Sequence, residues 1–91
     1  MSKIVLQGQL HIPAADLDAV LAALSEQKRL TNNEPGCLVF NVEQNADDPL
    51  VLDVYEEYES QEAFAHHQER TRASAWWQAT QQCERQYTIT E

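Results

Sequence analysis

The side chains best suited to chemistry lie in the second half of the chain. His66 and His67 are adjacent in a segment of helical character, and imidazole titrates close enough to neutrality to take up or return a proton. Glu56 and Tyr58 stand two apart, the spacing that puts both on one face of a strand together with Leu52 and Val54. A carboxylate in that apolar row must be hydrogen-bonded or have a raised pKa, so Glu56 reads either as a base or as an anchor for a group on a neighbouring helix. Tyr58 is placed to hydrogen-bond a substrate oxygen, or to pack with its hydroxyl satisfied. Trp76 and Trp77 are consecutive and must diverge, so at most one is expected to line a ring-sized pocket. The run Glu69 to Arg72 reads as a solvated helix end, although Arg70 and Arg72 could hold a phosphate or carboxylate. His11 and Asn41 fall on mixed strand faces and receive no role.

Other chemistries lack their motifs. Cys37 and Cys83 have neither C-x-x-C spacing nor a nearby histidine to complete a zinc site, so no metal is expected and both read as buried free thiols. There is no glycine-rich phosphate loop, nucleophile elbow or basic aromatic platform, and no cofactor is expected. Fifteen acidic against six basic residues give a net charge of -9, which repels phosphate backbones and anionic lipid; neither nucleic acid nor membrane is an expected partner. Met1-Ser2-Lys3 leads into a mixed run without an apolar export core, and no stretch approaches the roughly 20 apolar residues of a membrane span, so a cytoplasmic location is expected.

The elements that must position these residues follow from periodicity. Ile4 to Ile12 alternates as a half-buried strand that Pro13 stops. Asp16 is expected to cap a helix carrying Leu17, Val20, Leu21 and Leu24 at i, i+3, i+4 and i+7, running to about Leu30. Glu34-Pro35-Gly36-Cys37 reads as a type II turn around the Pro-Gly pair. Cys37 to Glu43 then alternates, with Leu38, Phe40 and Val42 on one side, and a polar connector leads to a third strand, Leu50 to Tyr58. Ser60 caps a second helix that bends near Ala73-Ser74 before a short piece holding both tryptophans, and Cys83 to Thr90 alternates as a last strand. The order β-α-β-β-α-β over a single domain, residues 1–91, is that of a ferredoxin-like α+β fold. Right-handed crossovers put its four antiparallel strands in the spatial order four, one, three, two, with both helices on one face. Cys37 and Cys83 then occupy opposite edges, too far apart for a disulfide. The uncovered face still carries Val5, Val39, Val51 and Tyr55, and packing it on a twin would bury them, so a homodimer through the open sheet face is expected.

With the elements placed, Glu34-Pro35-Gly36-Cys37-Leu38, the strand end Val54-Tyr55-Glu56-Glu57-Tyr58, the helix start Ser60-Gln61-Glu62-Ala63-Phe64 and then His66 resemble the antibiotic-biosynthesis-monooxygenase family. The resemblance implies a dimeric α+β barrel with a pocket between sheet and helices in each subunit. Some members are cofactor-free oxygenases of quinols or polycyclic phenols; others degrade haem or isomerise small signalling sugars. Haem degradation is set aside, because strand one offers Gln7 and Gln9 where that branch uses asparagine. The resemblance selects His66 as base; Glu56 and Tyr58, from their place on the third strand, are the other catalytic candidates, and Leu52, Val54, Phe64, His67 and Trp76 are expected to line the pocket. The expected activity is monooxygenation of a small aromatic or quinol-like substrate by O2. Two alternatives remain open: an isomerase for a small phosphorylated carbonyl compound, which needs Arg70, Arg72 or Lys3 to converge on the pocket, and a non-catalytic ligand-binding dimer.

Overall fold

The computed structural model describes residues 3–91; Met1 and Ser2, which open the segment read as lacking an export core, lie outside the described residues. The elements are β1 (Ile4–His11), α1 (Leu17–Asn32), β2 (Cys37–Gln44), β3 (Val51–Tyr58), α2 (Gln61–Arg72), α3 (Ala75–Ala79) and β4 (Glu84–Thr90). The sheet order is β2-β3-β1-β4 with every neighbour antiparallel, which is the order that the two crossovers require. Leu6 and Leu10 of β1, Phe40 and Val42 of β2, and Leu52 and Val54 of β3 are buried beneath the helices, in one core with Val20, Leu24 and Trp76. Among the described residues no helix is long and apolar enough to cross a membrane.

Helix entry differs between the two main helices. Ser60 caps α2 as expected, its Oγ accepting from the Ala63 N–H at 3.1 Å. Asp16 does not cap α1 with its side chain. It closes a 3-10 turn, Ala14–Asp16, in which its own N–H donates to the Pro13 carbonyl at 2.8 Å, and the fixed φ of Pro13 sets that tighter entry. The buried stripe of α1 also changes character along its length: Val20 and Leu24 are followed by Gln27 and Thr31. The buried positions of α2 are His67 and Thr71, so the helices meet through polar side chains over their shared turns.

The β2 alternation breaks at its first residues. Cys37 pairs with Tyr58, but Val39 pairs with Glu57, leaving Leu38 as the extra residue of a bulge. Leu38 therefore leaves the row it was expected to share with Phe40 and Val42 and is 52% exposed, while Cys37 takes the helix-facing position. Cys37 is half-buried, Cys83 is buried just ahead of β4, and both are free thiols at opposite edges of the sheet. The turn before β2 is the type II turn expected: Gly36 has φ +87° and the Cys37 N–H donates to the Glu34 carbonyl at 3.3 Å. A Cβ at Gly36 would meet the Ala63 Cβ at 2.6 Å. This close approach locks the turn against α2 and fixes Glu34 beside that helix.

Candidate functional site

A cavity of about 250 Å³ lies between the helix-facing side of the sheet and the α2–α3 segment. Leu6, Phe40, Val42 and Val54 give it an apolar floor, Trp76, Trp77 and Tyr87 contribute aromatic walls, and Glu56 and His67 place polar groups in that wall. Arg72 and Arg85, both exposed, stand at its rim.

Glu56 is 7% exposed, and burial pushes its pKa up to about 7, against the opposing hydrogen bond from Tyr58. The Tyr58 hydroxyl donates to Glu56 Oε1 at 2.6 Å. Burial, and then the adjacent Glu56 carboxylate, raise the Tyr58 pKa, so the phenol keeps its proton. The His67 ring packs on Tyr58 with centroids 4.9 Å apart, and its Nε2 lies 3.7 Å from Glu56 Oε1.

Behind His67 is a carboxylate that sets its tautomer. Glu34 Oε1 lies 2.7 Å from His67 Nδ1, and Glu34 Oε2 accepts from Arg70 Nε at 2.8 Å. Burial works to raise the Glu34 pKa, but the hydrogen bonds from His67 and Arg70 outweigh it and hold the carboxyl below its usual range. Glu34 is thus ionised and accepts only, so the proton on this side of His67 belongs to Nδ1. Burial lowers the His67 pKa despite the opposing bond to Glu34, and the ring is neutral at pH 7. Its Nε2 then carries a lone pair on the cavity side, with the Thr71 hydroxyl 3.4 Å away. Arg70 also donates through Nη2 to Gln27 Oε1 and Thr31 Oγ1, each at 3.1 Å, and Gln27 Nε2 donates to Thr71 Oγ1 at 3.2 Å. The polar half of the α1 stripe therefore holds Arg70, which holds Glu34, which orients His67.

Of the residues singled out from the sequence, Glu56, Val54, His67 and Trp76 line the cavity. His66 does not: its side chain is 67% exposed and its nearest acidic contact is Glu34 Oε2 at 4.0 Å. Successive helix residues are turned by about 100°, so only one of two adjacent histidines can face the sheet, and it is His67. Tyr58 sits behind Glu56 with Phe64 packed on its ring at 5.3 Å, and Leu52 is fully buried in the core; these three support the wall from outside the lining. Both tryptophans line the cavity, contrary to the expectation for consecutive positions. The short α3 lies across the end of the cavity, with Trp76 buried inward and half-buried Trp77 along the edge beneath the Arg85 guanidinium. Arg70 belongs to the buried network instead of a solvated helix end. Lys3 pairs with Glu57 at 3.0 Å and does not reach the cavity, while His11 and Asn41 lie on the open face, His11 against Gln86 at 3.2 Å. Glu34 and Gln27 were missed as site residues. Their signal was the i, i+3, i+4 spacing of His67, Arg70 and Thr71, matched by Gln27 and Thr31 four apart on α1.

A family model described as antibiotic biosynthesis monooxygenase matches residues 3–79. No curated protein matches the chain. Among solved structures, a candidate antibiotic biosynthesis monooxygenase from Nitrosomonas europaea superposes with a TM-score of 0.79 at 20% identity, over 98% of this chain and 94% of that one. One from Bacteroides thetaiotaomicron gives 0.82 at 19% identity, over 99% and 87%, and one from Deinococcus radiodurans 0.76 at 19%, over 97% and 90%. These likenesses establish the ferredoxin-like α+β fold, and the family match spans every element except β4. The chain belongs to the antibiotic biosynthesis monooxygenase family.

Proposed function

We propose that the protein is a cofactor-free monooxygenase that oxidises a small quinol or phenol with O2. The observation that carries this reading is the pairing of an unprotonated His67 Nε2 with Glu56, whose pKa is about 7, in the wall of an apolar, ring-sized cavity. A phenol gives up an electron to O2 readily only as its anion, so the group the protein must supply is a base near the hydroxyl. His67 or ionised Glu56 takes the phenolic proton, and the phenolate passes one electron to O2. Recombination at a ring carbon forms the C–O bond of a hydroperoxide. Loss of water from that adduct, its O–O bond breaking as the ring C–H proton leaves, gives a quinone. Phenol plus O2 thus yields quinone plus water. Trp76, Trp77 and Tyr87 hold the ring, and the apolar floor keeps water from the anion.

The test is oxygen uptake by the purified protein with a panel of reduced quinols and phenols, corrected for autoxidation. Protein-dependent uptake that rises with pH through about 7, as Glu56 ionises, is the expected result. His66→Ala is expected to keep turnover within about twofold, because a surface imidazole outside the lining has no proton to take. Uptake no faster than autoxidation across the panel overturns the reading.

We also propose that the active form is a homodimer through the open sheet face. Val5, Val39 and Tyr55, half-buried on that face, favour burial, whereas Val51, expected to be uncovered with them, is already buried within the single chain. Its acids are partly answered: Gln9 and Asn45 donate to Asp53, and Lys3 pairs with Glu57. Sedimentation should give twice the 10.4 kDa chain mass, with association tightening as salt screens the -9 charge of each chain. A chain that stays monomeric at high salt and high concentration would sink this assembly.

A further inference from the structure

The basic residues of this chain are distributed unevenly in a way that points to the ligand. There are six Lys and Arg against fifteen Asp and Glu. Lys3 pairs with Glu57 at 3.0 Å, Lys28 with Glu43 at 3.5 Å, Arg29 with Glu26, and Arg70 with Glu34 at 2.8 Å. Among the described residues only Arg72 and Arg85 lack a carboxylate partner, and both stand at the rim of the same cavity. With acids outnumbering bases so heavily, two unpaired guanidinium groups at one opening leave a local positive field on an otherwise anionic surface.

We propose that Arg72 and Arg85 form a subsite for an anionic substituent, a carboxylate or phosphate, on the ring that enters the cavity. The inference rests on the ring-binding cavity of the proposed function and names the substrate class: acidic phenols or quinols. Arg85 is preorganised for the task. Its Nη2 donates to Thr80 Oγ1 at 2.6 Å and its Nη1 to the Thr80 carbonyl at 3.2 Å, and its guanidinium carbon lies 5.2 Å from the Trp77 ring centroid. A guanidinium held by neutral acceptors keeps its full charge and offers its remaining N–H donors to an oxyanion. Arg72, exposed at the last turn of α2, closes on the same group from the opposite element. The inner wall dictates the orientation. Glu56 is partly ionised at neutral pH and repels an anion, so the acidic substituent stays at the rim and the neutral hydroxyl goes inward to His67.

Binding is read without turnover by anaerobic titration, because both tryptophans of the chain line the cavity and report occupancy through their fluorescence. The probes are a dihydroxybenzoate, its methyl ester and the matching hydroxyphenyl phosphate. The acid is expected to bind at least about tenfold tighter than the ester, the size of one charged hydrogen bond. Arg72→Gln should shrink that preference, and Arg72→Gln with Arg85→Gln should remove it, in variants whose far-UV spectrum and melting match wild type. If the Arg85 change perturbs the Thr80 turn, the Arg72→Gln and Arg72→Glu series carries the test alone. The phosphate binding tighter than the carboxylate also supports the subsite and identifies its anion. An ester that binds as tightly as its acid, a preference that survives loss of both arginines, or no binding of any probe overturns the subsite. Charge-dependent binding without oxygen uptake overturns only the oxygenase reading, whereas uptake with neutral quinols and no preference for acids overturns only the subsite.

Discussion

Glu56→Gln is expected to slow turnover by about 10²- to 10⁴-fold, the usual effect of losing a general base, while making the folded protein more stable at alkaline pH. The two effects have one cause. Burial of Glu56 raises its pKa from 4.5 to about 7, so the folded state holds this proton more tightly than the unfolded chain does. A group of that kind contributes its full stability below pH 4.5, and the contribution is lost as pH rises through about 7. At about 1.4 kcal/mol per pKa unit, keeping the ionised carboxylate buried near pH 8 costs up to about 3 kcal/mol. Glutamine has the same shape, still accepts from the Tyr58 hydroxyl through Oε1, and has no charge to bury. Denaturant midpoints should therefore converge for the two proteins near pH 4.5 and separate in favour of the variant as pH rises. A variant that gains no stability over wild type at high pH would show that the folded protein does not raise the Glu56 pKa, and one that keeps full turnover would leave His67 as the base.

The same residue shows how far the sequence could be read. Alternation in β1 sets which side of that strand meets the helices, and the two-residue period of β3 puts Glu56 and Tyr58 on one face with Leu52 and Val54. The Pro35-Gly36 pair announced its turn type. The helix carrying the histidines was different: apart from Phe64 and two alanines, α2 has almost no apolar residues to set its rotational phase. His66 and His67 are equivalent under such a pattern, and only packing separates them. What replaced an apolar stripe was a polar one, His67, Arg70 and Thr71, buried against Gln27 and Thr31 of α1. A search for hydrophobic periodicity passes over such a seam, because each of its members alone reads as solvent-facing. Leu38 and Asp16 failed for local reasons: a bulge that shifts the phase of β2 by one residue, and a 3-10 entry after Pro13 that takes Asp16 out of the capping position.

Glu34 is the residue on which that seam turns, and its substitution separates orientation from charge. In Glu34→Gln the single amide oxygen is claimed by Arg70 Nε, which can only donate. The amide nitrogen then faces His67 Nδ1, forcing the ring to accept there and to carry its proton on Nε2. The nitrogen that faced the cavity with a lone pair becomes a donor, and turnover should fall by about 10²- to 10⁴-fold, the scale seen when a histidine base is held in the wrong tautomer. The fold should also weaken, by about 3 kcal/mol, because Arg70 is left partly buried without its counter-charge. Ring-nitrogen chemical shifts report the tautomer directly, and they distinguish this account from simple unfolding: wild type should show Nδ1–H and Glu34→Gln should show Nε2–H in protein that remains folded. His67→Ala should match the loss of activity of Glu34→Gln, and Glu34→Gln combined with it should cost little more, since one chain of contacts connects both to the cavity. If the two losses multiply instead, Glu34 acts on the reaction by a route that does not pass through His67.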